Sequence, residues 1–159
     1  MLFRSTLIVM ENGTTARTGH QNHPAVGRNF REVTQKIPVR KVLEGLGVDK
    51  IREVDAYNQS KLKQYVEEAL AEDGLKVIIA KHPCMLKFTR ELRRSGRSLP
   101  NPVRVGNKCN RKYICVSDFA CPSYQLSDDG SVWVQNDLCI GDRSCVQTCP
   151  SDAIASEDR

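Results

Sequence analysis

Residues 109–122 read CNRKYICVSDFACP, and residues 139–150 read CIGDRSCVQTCP. The first places cysteines at Cys109, Cys115 and Cys121, followed by Pro122. The second places them at Cys139, Cys145 and Cys149, followed by Pro150. Six of the chain's seven cysteines lie in these two short stretches, and the stretches echo each other. A chain of 159 residues with 40% hydrophobic residues is expected to hold one ordinary domain or two small ones. Its first ten residues carry Arg4 within a short apolar run, so they read as a buried strand, not a signal peptide or a membrane span. The expected compartment is the reducing cytoplasm, where clustered cysteines point to metal or redox chemistry before disulfides.

Two-cluster iron–sulfur modules use C-x2-C-x2-C-x3-C-P, and the last Cys of each motif ligates the other cluster. The second stretch fits except that Asp142 stands in the middle position. The first fits with Lys112 in the middle and two extra residues before its final Cys. One cluster would then draw on Cys109, Cys115 and Cys149, and the other on Cys139, Cys145 and Cys121. Three thiolates suffice for 3Fe-4S. An oxygen ligand such as Asp142 completes a labile 4Fe-4S site, whereas the Lys112 ammonium has no lone pair. The site beside Lys112 is therefore expected to be 3Fe-4S or empty. A zinc site remains an alternative, although it prefers C-x2–4-C pairs that are absent here. Cysteines that hold no cluster are another.

Upstream of the first motif, Ser98-Leu99-Pro100-Asn101-Pro102 reads as a linker, so the boundary is expected near 100–105, giving domains 1–103 and 104–159. Inside the second domain, Asp129-Gly130 between apolar segments at 124–126 and 132–135 predicts a hairpin. In the first, residues 75–80 (LKVIIA) read as a strand buried on both faces of a parallel sheet. Residues 2–10 and Ile51 to Val54 are the other strand candidates. A short helix follows Pro38. A longer one carries Leu62, Tyr65, Val66, Ala69 and Leu70, with Ser60 as its candidate N-cap. This alternation gives an α/β class. A basic helix is expected over 85–96. From Lys87 to Lys112 there are nine Lys or Arg and one acid, Glu91, while the tail after Leu126 is acidic. The basic stretch reads as a solvated face or a surface for an acidic protein; nucleic acid is disfavoured because few aromatics interleave with the charge.

Residues 11–36 are an irregular segment rich in Gly, Thr, Asn and His. It opens Glu11-Asn12-Gly13-Thr14-Thr15-Ala16-Arg17-Thr18-Gly19 directly after the first strand. Amide, hydroxyl and carbonyl oxygens in such a loop are hard ligands, suited to Mg2+ beside a diphosphate, although a plain polar loop has the same composition. Cys84, alone after His82-Pro83, reads as a packed thiol.

This loop, with His23-Pro24, resembles the thiamine-diphosphate domain of the indolepyruvate ferredoxin oxidoreductase alpha subunit. That family reads Asp-Asn, two residues, then Thr-Ala-Met-Thr-Gly; here Glu11 stands for the Asp and Arg17 for the Met. The resemblance continues through Gly47-Val48, residues 77–80 and Pro83-Cys84 into the cysteine motifs. It implies a partial thiamine-diphosphate-binding α/β domain followed by a small α+β two-cluster ferredoxin-like domain. It implies oxidative decarboxylation of a 2-oxoacid such as an aryl pyruvate, with electrons passing through the clusters to ferredoxin and the acyl group to coenzyme A. By the same resemblance Asn12 ligates Mg2+ through its side chain and Thr14 through its carbonyl, while Thr15, Thr18 and Gly19 line the diphosphate. No catalytic residue is carried over. The family's pyrimidine-binding domain and Gly-Asp metal motif are absent from this sequence. A partner subunit is therefore expected to complete the cofactor site, and the isolated chain to be inactive. The alternatives are a stand-alone electron carrier or docking protein, or a truncated remnant.

Overall fold

The computed structural model describes residues 3–28 and 31–156, so the expectations for Met1, Leu2, Glu157 and Asp158 lie outside the described residues. Its residues gather into two compact units, Met1–Cys84 and Met85–Arg159. The second unit thus includes the basic helix and the proline-rich segment near the boundary expected at 100–105.

The first unit is a parallel sheet. Strand β1 (Arg4–Glu11) is followed by helix α1 (Val39–Gly45), β2 (Lys50–Asp55), helix α2 (Gln59–Ala71) and β3 (Gly74–Lys81). The strand order is β1-β3-β2, with Ile8 beside Ile78 and Val54 beside Ala80. β3 takes the centre because its run of apolar residues tolerates burial on both faces: Val77, Ile78 and Ile79 are fully buried. Lys76 is also buried, its ammonium donating to the carbonyls of Glu72 (2.8 Å) and Gly74 (3.0 Å). α2 packs Leu62, Tyr65, Val66 and Ala69 onto Ile78 and Val54. Its N-cap is Asn58, not Ser60: Asn58 Oδ1 accepts from Lys61 N (3.1 Å), and the Ser60 hydroxyl donates to the same oxygen (3.1 Å).

β1 departs from its expected burial. It pairs with β3 along one edge, and Leu7, Ile8 and Met10 remain 46%, 47% and 81% exposed. Leu7 and Ile8 point to opposite faces. Both faces of the sheet are thus about half open at Leu7 and Ile8 of β1.

The second unit begins with helix α3 (Met85–Arg94), which ends before Gly96 at φ +67°. β4 (Val103–Val105), a short helix α4 (Ile114–Ser117) and β5 (Tyr124–Leu126) follow. Then come β6 (Val132–Val134), a 3-10 turn at Val146–Thr148, and β7 (Ile154–Ser156). Each cysteine stretch therefore lies between two short strands. Pairing is outer with outer and inner with inner: β4 with β7, and β5 with β6 as the expected hairpin. Val103, Tyr124, Val132, Cys145 and Ile154 form the core. Among the described residues, no helix is long and apolar enough to cross a membrane.

Candidate iron–sulfur centres and diphosphate loop

The strand pairing decides which cysteines meet. Cys149 precedes β7, and β7 lies beside β4, which leads to Cys109. Gly106 N donates to Ala153 O (2.7 Å) and Cys109 N to Gly106 O (3.1 Å), which ties the two cysteine segments together. Cys109, Cys115 and Cys149 consequently line one small cavity, with Lys112, Tyr113 and Ser151 on its wall. On the other side, Cys121 precedes β5, and β5 lies beside β6, which leads to Cys139. Gln135 N donates to Ser123 O (2.8 Å) and Cys139 N to Gln135 O (3.2 Å). Cys145 is buried there, within electrostatic reach of Cys139 and Asp142.

Both loops wind the same way. Arg111 and Gly141, each two residues after the first Cys of its motif, have φ of +56° and +66°. Tyr113 and Arg143, each four residues after it, have +57° and +62°. Left-handed backbone at non-glycine residues costs about 1–2 kcal/mol each, so its repetition marks a conformation that the surroundings impose. Gly141 has a second constraint: a Cβ there would lie 2.6 Å from Asn101 O and 2.7 Å from Pro100 Cβ.

The two Cys-Pro-Ser turns match as well. The Cys121 thiol lies 3.6 Å from Ser123 Oγ, and the Cys149 sulfur lies 3.4 Å from Ser151 Oγ. Ala153 N also donates to Cys149 Sγ (3.3 Å). Burial acts to raise the Cys149 thiol, but the Ser151 hydroxyl and the amides of Ala153, Ser151 and Ile154 outweigh it and hold it below its ordinary value. Burial, which dominates, pushes the Cys115 and Cys145 thiols up, and the charges of Asp142 and Cys139 add to this at Cys145. Thiolates at such places need a cation beside them, and coordinated iron provides one.

All seven cysteines are free thiols. Among the described residues, no three His, Cys, Asp or Glu side chains close on a single metal ion. An iron–sulfur cube is several atoms across, so its thiolates stand further apart than the ligands of one ion. The two three-cysteine sets, their donors to sulfur and their soft-ligand chemistry fit clusters. Asp142 Oδ1 accepts from Ser144 N (3.2 Å) and Ser144 Oγ (3.1 Å), so that oxygen is engaged within its own turn.

Tyr124 was not singled out by the sequence, and the structure gives it prominence. Its hydroxyl is buried against Cys145, with Cys115 and Cys121 within electrostatic reach. Among the described residues, it is the buried side-chain oxygen or nitrogen with no hydrogen bond of normal geometry. Burial, followed by the facing Cys145, raises this phenol far above its ordinary value. An orphaned buried hydroxyl costs about 1–3 kcal/mol, and a sulfur acceptor in front of it would remove that cost.

The polar loop sits at the carboxyl ends of the parallel strands, where open α/β sheets bind ligands. His82 N donates to Glu11 O (3.2 Å) and Cys84 N to Asn12 O (3.0 Å), fastening the loop to the segment after β3. Asn12 Oδ1 accepts from Thr14 N (3.0 Å), and the buried Thr14 hydroxyl donates to Gln21 O (3.2 Å). Thr15 and Gln21 exchange backbone hydrogen bonds, and Thr18 Oγ1 donates to Gln21 Oε1 (2.9 Å). Gly13 and Gly19 have φ of +71° and +106°, with open space where a Cβ would be. Oxygen donors and this space fit Mg2+ and a diphosphate. Cys84 does have a neighbour, His20 Nε2 at 3.5 Å.

Comparison with known proteins agrees with both halves. Residues 3–80 match the family model of the C-terminal TPP-binding domain of thiamine pyrophosphate enzymes, and residues 132–155 match the 4Fe-4S binding domain. The chain is 34% identical over 149 residues to the indolepyruvate oxidoreductase subunit IorA of Archaeoglobus fulgidus, covering 93% of this chain and 23% of that subunit. It is 32% identical over 158 residues to IorA of Methanothermobacter thermautotrophicus, covering 98% of this chain and 24% of that one. With IorA of Thermococcus kodakarensis the identity is 30% over 148 residues, covering 92% and 23%. The chain thus spans about a quarter of the length of the curated relatives it matches. No solved structure matches it.

Proposed function

We propose, from a chain that is the counterpart of the C-terminal part of indolepyruvate oxidoreductase IorA subunits, that it is the electron-relay portion of a 2-oxoacid:ferredoxin oxidoreductase. The observation that carries this reading is the crossed cysteine arrangement. Cys109 and Cys115 share a cavity with Cys149 from the other motif.

In this reading Cys109, Cys115 and Cys149 hold one cluster, and Cys139, Cys145 and Cys121, with Asp142, hold the other. Serine hydroxyls and backbone amides around the sulfurs set their charge environment. Asn12 and Thr14 hold Mg2+, and Thr15, Thr18 and Gly19 face the diphosphate. Thiamine diphosphate, when bound, supplies the electron sink for decarboxylation. The loop's own part is to hold the diphosphate where the sheet ends, beside the segment that follows β3. The substrates of the whole assembly are an aryl pyruvate such as indolepyruvate and coenzyme A, with ferredoxin as the acceptor and the cytoplasm as the compartment.

A partner subunit completes the cofactor site. The exposed apolar residues of β1 support this, because parallel sheets normally have both faces covered by helices. The same incompleteness supports a second reading, a stand-alone electron carrier whose first unit only scaffolds.

Anaerobic purification with iron and sulfide analysis tests the relay. A brown protein with iron and acid-labile sulfide, EPR-active before or after reduction, is expected. Colourless protein after reconstitution with iron and sulfide defeats the proposal. Thiamine-diphosphate binding, measured by calorimetry with and without the matching remainder of an IorA subunit, separates the two readings. Binding that needs the remainder supports the oxidoreductase, and none in either case leaves the carrier.

A further inference from the structure

We infer that Tyr124 is a positioning residue of the electron path: its hydroxyl donates a hydrogen bond into the sulfur shell of the cluster held by Cys139, Cys145 and Cys121, and so raises that cluster's reduction potential relative to its neighbour's. The inference rests on the cluster reading above.

Three observations place the hydroxyl. Tyr124 is 5% exposed, in the core with Val103, Val132, Cys145 and Ile154. Its buried oxygen makes no hydrogen bond of normal geometry, and the polar group set against it is the Cys145 thiol. The ionisable groups around it are cysteines: Cys145, which shares its core, then Cys115 and Cys121, which pack against that core. Those three cysteines come from both ligand sets, so the ring stands between the two sites and its one polar atom turns toward Cys145. Burying a phenol with nothing to bond is unfavourable, whereas Phe would fill the same space without an orphan. The internal repeat makes the choice sharper. In Cys121-Pro122-Ser123-Tyr124 the fourth residue is this buried Tyr, and in Cys149-Pro150-Ser151-Asp152 it is an exposed Asp. One site therefore receives a buried side-chain hydroxyl at a position where the repeat gives the other an exposed carboxylate.

The sign follows from charge. Reduction adds an electron to the cluster, and its sulfurs become better acceptors. A donor fixed before reduction stabilises the reduced form, so removing it lowers the potential.

The test is Tyr124→Phe in the full chain, reconstituted anaerobically and titrated with EPR detection. At a fixed potential, the reduced-to-oxidised ratio of one cluster should fall about tenfold, equivalent to about 59 mV for a one-electron couple, with a smaller change at the other. Full cluster load with both potentials unmoved overturns the inference and leaves the relay reading standing. A wild-type chain that binds no iron overturns both. If Tyr124→Phe fails to load iron, 3-fluorotyrosine at position 124 keeps the shape and strengthens the donor. It must raise the same potential, and no shift there overturns the inference.

Discussion

Replacing Cys149 with Ser tests the crossed architecture most directly. Cys149 belongs by sequence to the second motif, with only three residues between it and Cys145. By structure it belongs with Cys109 and Cys115, because β7 pairs with β4. The Ser hydroxyl keeps an acceptor for Ala153 N, now 3.3 Å from the sulfur, so the turn should survive. A hydroxyl is a harder and weaker iron ligand than a thiolate. The two sites have three thiolates each, and Cys149→Ser takes one from the first site alone. Iron and sulfide per chain should fall by about half, to the level of a single cluster. Cys121→Ser should remove the other half, and the double variant should be colourless. Anaerobic reconstitution, metal analysis and EPR read the result. If Cys149→Ser erases the signal that depends on Cys139 and Cys145, or leaves the iron unchanged, the crossed arrangement is wrong.

Lys112→Cys adds a fourth thiolate beside Cys109 and Cys115, and should convert a 3Fe-4S EPR signal into that of a reducible 4Fe-4S cluster; adding Cys149→Ser should abolish the converted signal. Gly141→Ala should destabilise the second unit by well over ~1 kcal/mol in denaturant titration and lower iron at the Cys139 site, because its φ is +66° and Asn101 O stands 2.6 Å from the new Cβ. Glu53 is held below its ordinary value of 4.5 by Lys81 first and Arg40 second. That contribution is present above pH 4.5 and lost as pH falls through the lower folded value, so Glu53→Gln should flatten the acid limb of a stability–pH profile measured by circular dichroism.

The α/β order of the first unit was legible because the apolar succession Val77 to Ala80 suits the central strand of a parallel sheet, and the Gly-Val and Asp-Gly breaks mark the ends of its helices. β1 was misread as buried for a definite reason. Leu7, Ile8, Val9 and Met10 are apolar in succession, and composition cannot tell a strand covered by its own chain from one left at an edge. Asn58 and Ser60 are both good caps, and only geometry shows that Ser60 donates to Asn58. The proposed cysteine sets come from the motif spacing together with the rule that the last Cys of each motif serves the other cluster. Tyr124 was not legible in that way, because a Tyr near a hairpin is ordinary until its buried hydroxyl is seen set against Cys145. The Cys-Pro-Ser repeat was readable but silent about hydrogen bonds.

The uncovered rim of β1 also bears on how this chain survives in a cell. It is an eight-residue strand with one edge paired, and its charges, Arg4 and Glu11, stand at its two ends. Arg4 is occupied by Asp73, and Glu11 by Lys36 and Lys81. The middle, from Ser5 to Met10, has none of the lysines, prolines or bulges that commonly keep strand edges from pairing with strangers. A chain made in excess of whatever covers this rim would therefore self-associate or be cleared by proteases. Its abundance would then follow supply of the cover and not its own rate of synthesis.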